Sequence, residues 1–239
     1  LLGGEPGAGK STILLQTLCH MAQNETALYV TGEESSQQVA MRARRLDLPL
    51  DKLQIMTETS VENICLVAKG KKPRLLVVDS IQVVHLEDIT SAPGSVSQVR
   101  ESAAALVRFA KQTNTILIIV GHVTKDGTLA GPKVLEHMID CSLMLEGRKD
   151  SQYRTLRGIK NRFGAVNELG VFAMTERGLK GVPNPSAIFL QRNEEVSSGS
   201  IVVVIWEGTR PMLVELQALV DDSHSVSYTH LRAHETYVH

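Results

Sequence analysis

The sequence predicts an α/β fold, a mostly parallel central sheet flanked by helices with antiparallel strands added at one edge, and three observations predict it. Helical-period segments alternate with short, near-continuous aliphatic runs as far as residue 122, the texture of buried parallel strands joined by crossover helices. A glycine-rich loop, "GGEPGAGKST" at 3–12, sits between an apolar strand stub and an amphipathic helix. Beyond Gly131 the texture changes to strand-like stretches joined by Gly- and Arg-containing turns, which read as the antiparallel additions.

The elements follow in order. Ile13, Leu14, Leu15, Leu18 and Met21 recur at helical spacing from Ser11 to about Met21, and "ALYVT" at 27–31 suits a buried strand. Then come a helix at about 36–46 (Val39, Ala40, Ala43, Leu46), a strand at 53–56, a helix at 60–69, the strand "RLLVVD" at 74–79, a helix at 97–113 and the strand "TILIIVGH" at 115–122. A short helix near 133–139 precedes "CSLMLE" (141–146), "YRTLRGIKN" (153–161), "VFAMT" (171–175) and "IVVVIWEG" (201–208). A further apolar strand, "RPMLVELQALV" at 210–220, is expected to open a following domain, which places a domain boundary at 209/210. Residues 223–239 hold four of the eight histidines without regular spacing and are expected to be a non-native tail.

Composition narrows the classes. The 239 residues, 43% hydrophobic, can bury a sizeable core. No window approaches ~18 uninterrupted apolar residues and no leader pattern opens the chain, so no membrane role is expected. With 25 basic and 26 acidic residues the net charge of −1 gives no global attraction to polyanions. Cys19, Cys65 and Cys141 lack metal-ligand spacing and stand in apolar contexts, as in a reducing, cytoplasmic compartment.

Chemistry concentrates in the glycine loop. Gly4, Glu5, Pro6, Gly7, Ala8, Gly9, Lys10 and Ser11 fit G-x-x-x-x-G-K-[ST] in full, and Thr12 follows. In such a loop backbone N–H groups converge on a polyanion, the lysine reaches β- and γ-phosphates, and the Ser hydroxyl ligates Mg²⁺. ATP and Mg²⁺ are therefore the expected cofactors. A glycine turn that merely caps a helix is the competing reading.

A second metal anchor is expected at Asp79, at the end of "LLVV". Glu33 and Glu34, just after strand 27–31, stand at the edge where parallel sheets bind ligands. One is expected to act as general base and the other to cap the next helix, with Glu33 the base because it lies closer to the strand end. His122, at the tip of strand 115–122, suits a γ-phosphate sensor, against the alternative of a structural strand-end histidine.

In an extended segment Lys160 and Arg162 project to one side, Asn161 and Phe163 to the other, and Gly164 permits a turn. Phe163 is then expected to anchor the strand. On a subunit edge the two cations would stabilise charge on a neighbour's γ-phosphate. The alternatives are a grip on DNA phosphates, or a solvated surface pair.

Together "GGEPGAGKST", "YVTGEES", "LLVVDSIQ", "GHVTKDG" and above all "KNRFG" at 160–164 make residues 1–222 similar to the ATPase core of the bacterial RadA/Sms DNA-repair family, within the RecA superfamily. The resemblance implies a RecA-like P-loop NTPase over 1–209. It implies a DNA-dependent ATP hydrolase of homologous recombination, stimulated by single-stranded DNA, that promotes branch migration as a DnaB-like hexameric motor on single-stranded and branched DNA, with a recombinase as possible partner. It assigns Lys10, Glu33, Lys160 and Arg162 to catalysis, Ser11 and Asp79 to the metal and His122 to the sensor position. Candidate DNA-channel loops are 82–96 and 123–133, the latter offering Lys125 and Lys133. The family's four-cysteine zinc module is not among these residues, and 210–222 would begin its Lon-protease-like domain. The rival reading is a KaiC-like nucleotide-gated oligomer that acts through protein partners. A small-molecule kinase would need an acceptor site or lid that the motifs do not supply.

Overall fold

The computed structural model describes residues 1–122, 133–147, 151–166, 168–186, 190, 199–207 and 210–218. The loop 123–132, with Lys125, and the tail 223–239 lie outside the described residues. Lys133 opens a short helix.

The chain runs β1 (Leu2–Gly4), α1 (Lys10–Met21), β2 (Ala27–Thr31), α2 (Ser36–Arg45), β3 (Gln54–Thr57), α3 (Val61–Lys71), β4 (Leu75–Asp79), α4 (Val96–Thr113), β5 (Ile116–Ile119), α5 (Lys133–Glu136), β6 (Cys141–Glu146), β7 (Tyr153–Asn161), β8 (Leu169–Thr175), β9 (Gly178–Gly181), β10 (Ser200–Glu207) and β11 (Arg210–Gln217). Strands β3-β2-β4-β5 form one parallel sheet, and β1-β6-β7-β8-β9 a second, mixed one. A parallel bridge between Leu2 and Val120 joins them, with the Gly121 N–H donating to the Leu2 carbonyl at 2.9 Å. The combined order is 3-2-4-5-1-6-7-8-9.

Period-two alternation sorts the strands between two cores. Tyr29, Leu75, Val77 and Val120 pack with α1 and α2 through Leu14, Leu15, Leu18, Val39 and Ala43. Leu28, Val30, Leu76, Val78 and Ile119 pack with α3 and α4 through Ile64, Val99, Ala103 and Leu106. Full burial of one such aliphatic side chain is worth about 1.5–3 kcal/mol, and helices on both faces explain why these strands read as continuous apolar runs.

Two strand expectations need correction. "CSLMLE" does not begin the antiparallel edge, because β6 pairs parallel with β1; a crossover connection returns the chain in the same direction, and antiparallel pairing starts at β7. "IVVVIWEG" does not join the main sheet either. β10 pairs with β11 in a separate two-stranded sheet, so the boundary expected at 209/210 falls between the two strands of one hairpin. Met212 of that hairpin is buried against Leu169 and Val171 of β8.

Candidate nucleotide-binding site

Local geometry explains the loop's glycines. A Cβ on Gly4 would come within 2.4 Å of the Leu145 carbonyl oxygen, so only glycine lets β1 turn into the loop beside β6. Gly9 is the N-cap of α1 in the left-handed region, φ 104°, and no side chain caps the helix there. The first N–H groups of α1, from Lys10 through Thr12, therefore have no intrahelical acceptor and form, with the helix dipole, a seat for an anion. Glu5, Pro6 and Gly7 make the exposed tip of the loop and Ala8 its buried flank.

The lysine is folded back on this loop. Lys10 is buried, and its Nζ donates to the Gly4 carbonyl at 2.7 Å and the Glu5 carbonyl at 3.0 Å. Burial pulls its ammonium below the usual lysine range, and the nearby carboxylates of Asp79 and Glu33 counteract part of that shift.

Ser11 and Asp79 meet at the base of the site. The Ser11 hydroxyl donates to Asp79 Oδ2 at 2.9 Å, and the Tyr29 hydroxyl donates to the same oxygen at 2.6 Å. Burial first, then the Asp79 charge and hydrogen bond, push the Tyr29 phenol far up, so it stays a donor. The hydroxyl and carboxylate oxygens fit a hard Mg²⁺ ion, which takes its remaining ligands from phosphate and water. Among the described residues no group of three or more His, Cys, Asp or Glu gathers elsewhere as a metal site.

Glu33 and Glu34 are separated by the structure. Glu33 Oε1 accepts from the Ser80 hydroxyl at 2.5 Å and lies 3.1 Å from His122 Nε2, which must donate to an ionised carboxylate. Burial pushes the Glu33 carboxyl up, but those hydrogen bonds and the charges of His122 and Lys10 outweigh it and hold it below the usual range. Glu34 pairs instead with Arg42 on α2. The expected capping acid is corrected: Ser35 caps α2, its side chain accepting from the Gln38 N–H while Gln38 Oε1 accepts from the Ser35 N–H at 2.8 Å. A serine hydroxyl at that position outcompetes a neighbouring carboxylate by geometry.

Lys160 and Arg162 stand away from this loop. Leu145 of β6 is beside Gly4, whereas β7 runs antiparallel and sets Lys160 opposite Ser142 and Asn161 opposite Cys141. The signature thus lies at the far end of β6 from the chain's own phosphate loop, about 10 Å along the strand. A bulge at Ser142/Leu143, with Gly158 opposite Leu143, leaves Ile159 as the extra residue. Both cations then turn to the segment after α5. Lys160 Nζ donates to the Glu136 carbonyl; Arg162 donates to Asp140 Oδ1 at 3.0 Å and to the His137 carbonyl at 2.7 Å. Phe163 does not anchor the strand: it is 84% exposed. Asn161 shapes the turn instead, its Oδ1 accepting from the Phe163 N–H at 3.1 Å and its Nδ2 donating to the Ala165 carbonyl at 3.3 Å. Of the channel loops, 82–96 is stitched to α4 by buried Gln98, which bonds the backbone of Leu86 and Ile89.

Residues that the motif reading passed over complete the site. Tyr29 holds Asp79, Ser80 holds Glu33, and Gln16 of α1 makes two bonds to the Leu179 backbone of β9. Arg154 of β7 donates from Nε to the Ala8 carbonyl at 3.2 Å. Only Tyr29 and Ser80 carried a sequence signal, their adjacency to "VTGEE" and to Asp79.

Comparison with known proteins agrees with this geometry. Residues 1–128, just over half of the chain, match the AAA domain family. The chain is 68% identical over 223 residues to DNA repair protein RadA of Escherichia coli strain K12, 93% of this chain and 48% of that protein. It is 70% identical over 223 residues to that of Haemophilus influenzae, 93% and 49%, and 50% identical over 221 residues to that of Bacillus subtilis strain 168, 92% and 48%. The chain thus spans about half the length of the curated relatives it matches. The crystal structure of a KaiC-like protein from Pyrococcus horikoshii OT3 superposes with a TM-score of 0.63 at 19% identity, over 76% of this chain and 88% of that one, which shows a shared fold. The chain belongs to the AAA domain family, as a RadA-like ATPase core.

Proposed function

We propose that the protein hydrolyses ATP in the service of DNA repair, as a motor stimulated by single-stranded DNA that promotes branch migration and works as a hexamer. The observation that carries the hydrolytic part is the convergence of Lys10, Ser11, Asp79 and Glu33 on one glycine loop, with Glu33 held ionised by Ser80 and His122. The relatives' name, DNA repair protein RadA, supports the biological role.

In this reading the α1 N–H groups and Lys10 take the β- and γ-phosphates, Lys10 leaving the Gly4 and Glu5 carbonyls for them. Ser11 and Asp79 would hold Mg²⁺, which neutralises the phosphate oxygens when bound. Glu33 orients a water and accepts its proton, since a carboxylate kept below its usual range is ionised at neutral pH. His122, sharing Glu33 Oε1, links the strand tip to the loop that follows.

Lys160 and Arg162 act in trans, on the nucleotide of an adjacent copy. The support is negative for their own site, about 10 Å away along the strand, and positive for an edge: Arg162 and Phe163 are exposed. Lys125 and Lys133 are proposed to contribute positive charge to a DNA channel, since even two cations per copy of a ring make it basic.

The test is ATP turnover with and without single-stranded DNA. Stimulation by DNA is expected, with turnover abolished in Lys10→Ala, and equal rates with and without DNA would overturn the motor reading. Binding of a labelled oligonucleotide should need ATP and fall steeply with salt.

A further inference from the structure

The β7 arginine at the phosphate loop has no part in the chemistry above, yet it reaches the loop from outside and bonds its backbone. Arg154 is only 9% exposed, and its guanidinium is spread over backbone carbonyls: Nε donates to Ala8, and one terminal nitrogen donates to Ser151 and, at 2.8 Å, to Tyr153. Room for its stem depends on Gly147, where a Cβ would come within 2.1 Å of Arg154 Cδ. A buried guanidinium is retained at a cost in desolvation, so a site that keeps one uses its fixed fork of donors.

What the fork holds is the Ala8–Gly9 peptide, which leads directly into the anion seat at the start of α1. In a trans peptide the C=O and the next N–H point in opposite directions. Pinning the Ala8 carbonyl toward β7 therefore aims the Gly9 N–H away from it. A flip of that peptide turns ψ of Ala8 and φ of Gly9, and Gly9, at φ 104°, is its conformationally permissive side. The Ala8 N–H belongs to the preceding peptide and bonds the Glu5 carbonyl at 3.1 Å, so it does not itself fix the Ala8 carbonyl, which the Arg154 bond does.

We propose that Arg154 is a positioning residue for nucleotide binding: it locks the Ala8–Gly9 peptide so that the loop meets phosphate already shaped. A preformed seat avoids the ordering cost of binding, so its loss weakens affinity and raises KM more than it lowers kcat. The proposal rests on the nucleotide-binding reading above.

The experiment measures a fluorescent ADP analogue with Mg²⁺, ATP turnover, and amide hydrogen exchange, on wild type, Arg154→Met, Arg154→Lys and Gly147→Ala. Arg154→Met should bind about tenfold more weakly, the scale of one lost charge-assisted hydrogen bond, with KM raised in step and kcat within about threefold. Exchange should accelerate at residues 7–12 and stay unchanged in α3 and α4. Arg154→Lys should recover part of the affinity, and Gly147→Ala, which displaces the stem while keeping the charge, should lose part of it. If wild type binds no nucleotide, the nucleotide reading itself fails. If wild type binds and folded Arg154→Met binds equally well, or exchange rises uniformly, the positioning role is overturned; failure of all three variants to fold would overturn it too, by making the arginine purely structural.

Discussion

The two ends of β7 differ in how completely they are satisfied. At one end Arg154 is buried and bonded to the Ala8 carbonyl of the phosphate loop and to the Ser151 and Tyr153 carbonyls at the start of its own strand. At the other, Arg162 makes a 3.0 Å ion pair with Asp140 while about two-fifths of each side chain stays exposed, and Phe163 next to it is 84% exposed. A buried, multiply bonded cation does its work within its own fold. Exposed cations beside an uncovered aromatic ring have spare capacity, and that is what a group lent to another molecule requires.

The sharpest way to break this contrast is Arg162→Ala in the assembled protein. Turnover is expected to drop by about 10³-fold with nucleotide binding retained, the scale of an arginine acting in trans on a γ-phosphate; a lost affinity in place of lost turnover would assign Arg162 to its own subunit's binding. Glu33→Gln should cost about 10²-fold or more in turnover, as removal of a general base does.

A pH series sharpens the same site. Because the folded carboxyl of Glu33 titrates below its unfolded value of about 4.3, its contribution to stability is complete above that value and is lost as pH falls through the lower, folded one. Ser80→Ala removes one of the bonds that lower it, so the acidic limb of kcat/KM should move to higher pH. An unmoved limb would detach Glu33 from the observed titration.

Smaller effects are expected at the exposed end. Asp140→Asn removes the ion pair but should shift thermal unfolding by less than about 1 kcal/mol, since half-exposed pairs contribute little. Phe163→Ala should leave the unfolding midpoint of the isolated subunit within about 0.5 kcal/mol of wild type, and analytical ultracentrifugation with nucleotide should show weaker self-association. A clear loss of subunit stability would mean that Phe163 is an internal anchor after all.

Much of the glycine-loop end could be read in the chain because it is local. The G-x-x-x-x-G-K-S loop, α1 and the strand that ends in Asp79 each lie within a short window, and periodicity located α1 to α4 to within about two residues, while α5 ends three residues before the expected 139. β9 escaped because "GLKG" has neither length nor β-branched residues. The parallel pairing of β6 with β1 joins residues about 140 apart, and nothing in either strand's pattern encodes the partner. Gln38 stood three residues after Ser35 from the outset, so the capping box could be read from the sequence and was passed over for the neighbouring acids.

What the sequence determined by itself, then, is the chemistry of the phosphate seat, because glycines, a lysine and a serine at fixed spacing leave one workable backbone path. What tertiary structure decided is which distant groups finish it. Arg154 reaches Ala8, Ser80 and His122 converge on Glu33, and Lys160 with Arg162 is carried to the opposite end of the sheet. The reason is physical: sequence spacing sets local geometry through covalent dihedrals, whereas strand order and register arise only when two apolar cores close on both faces of the sheet.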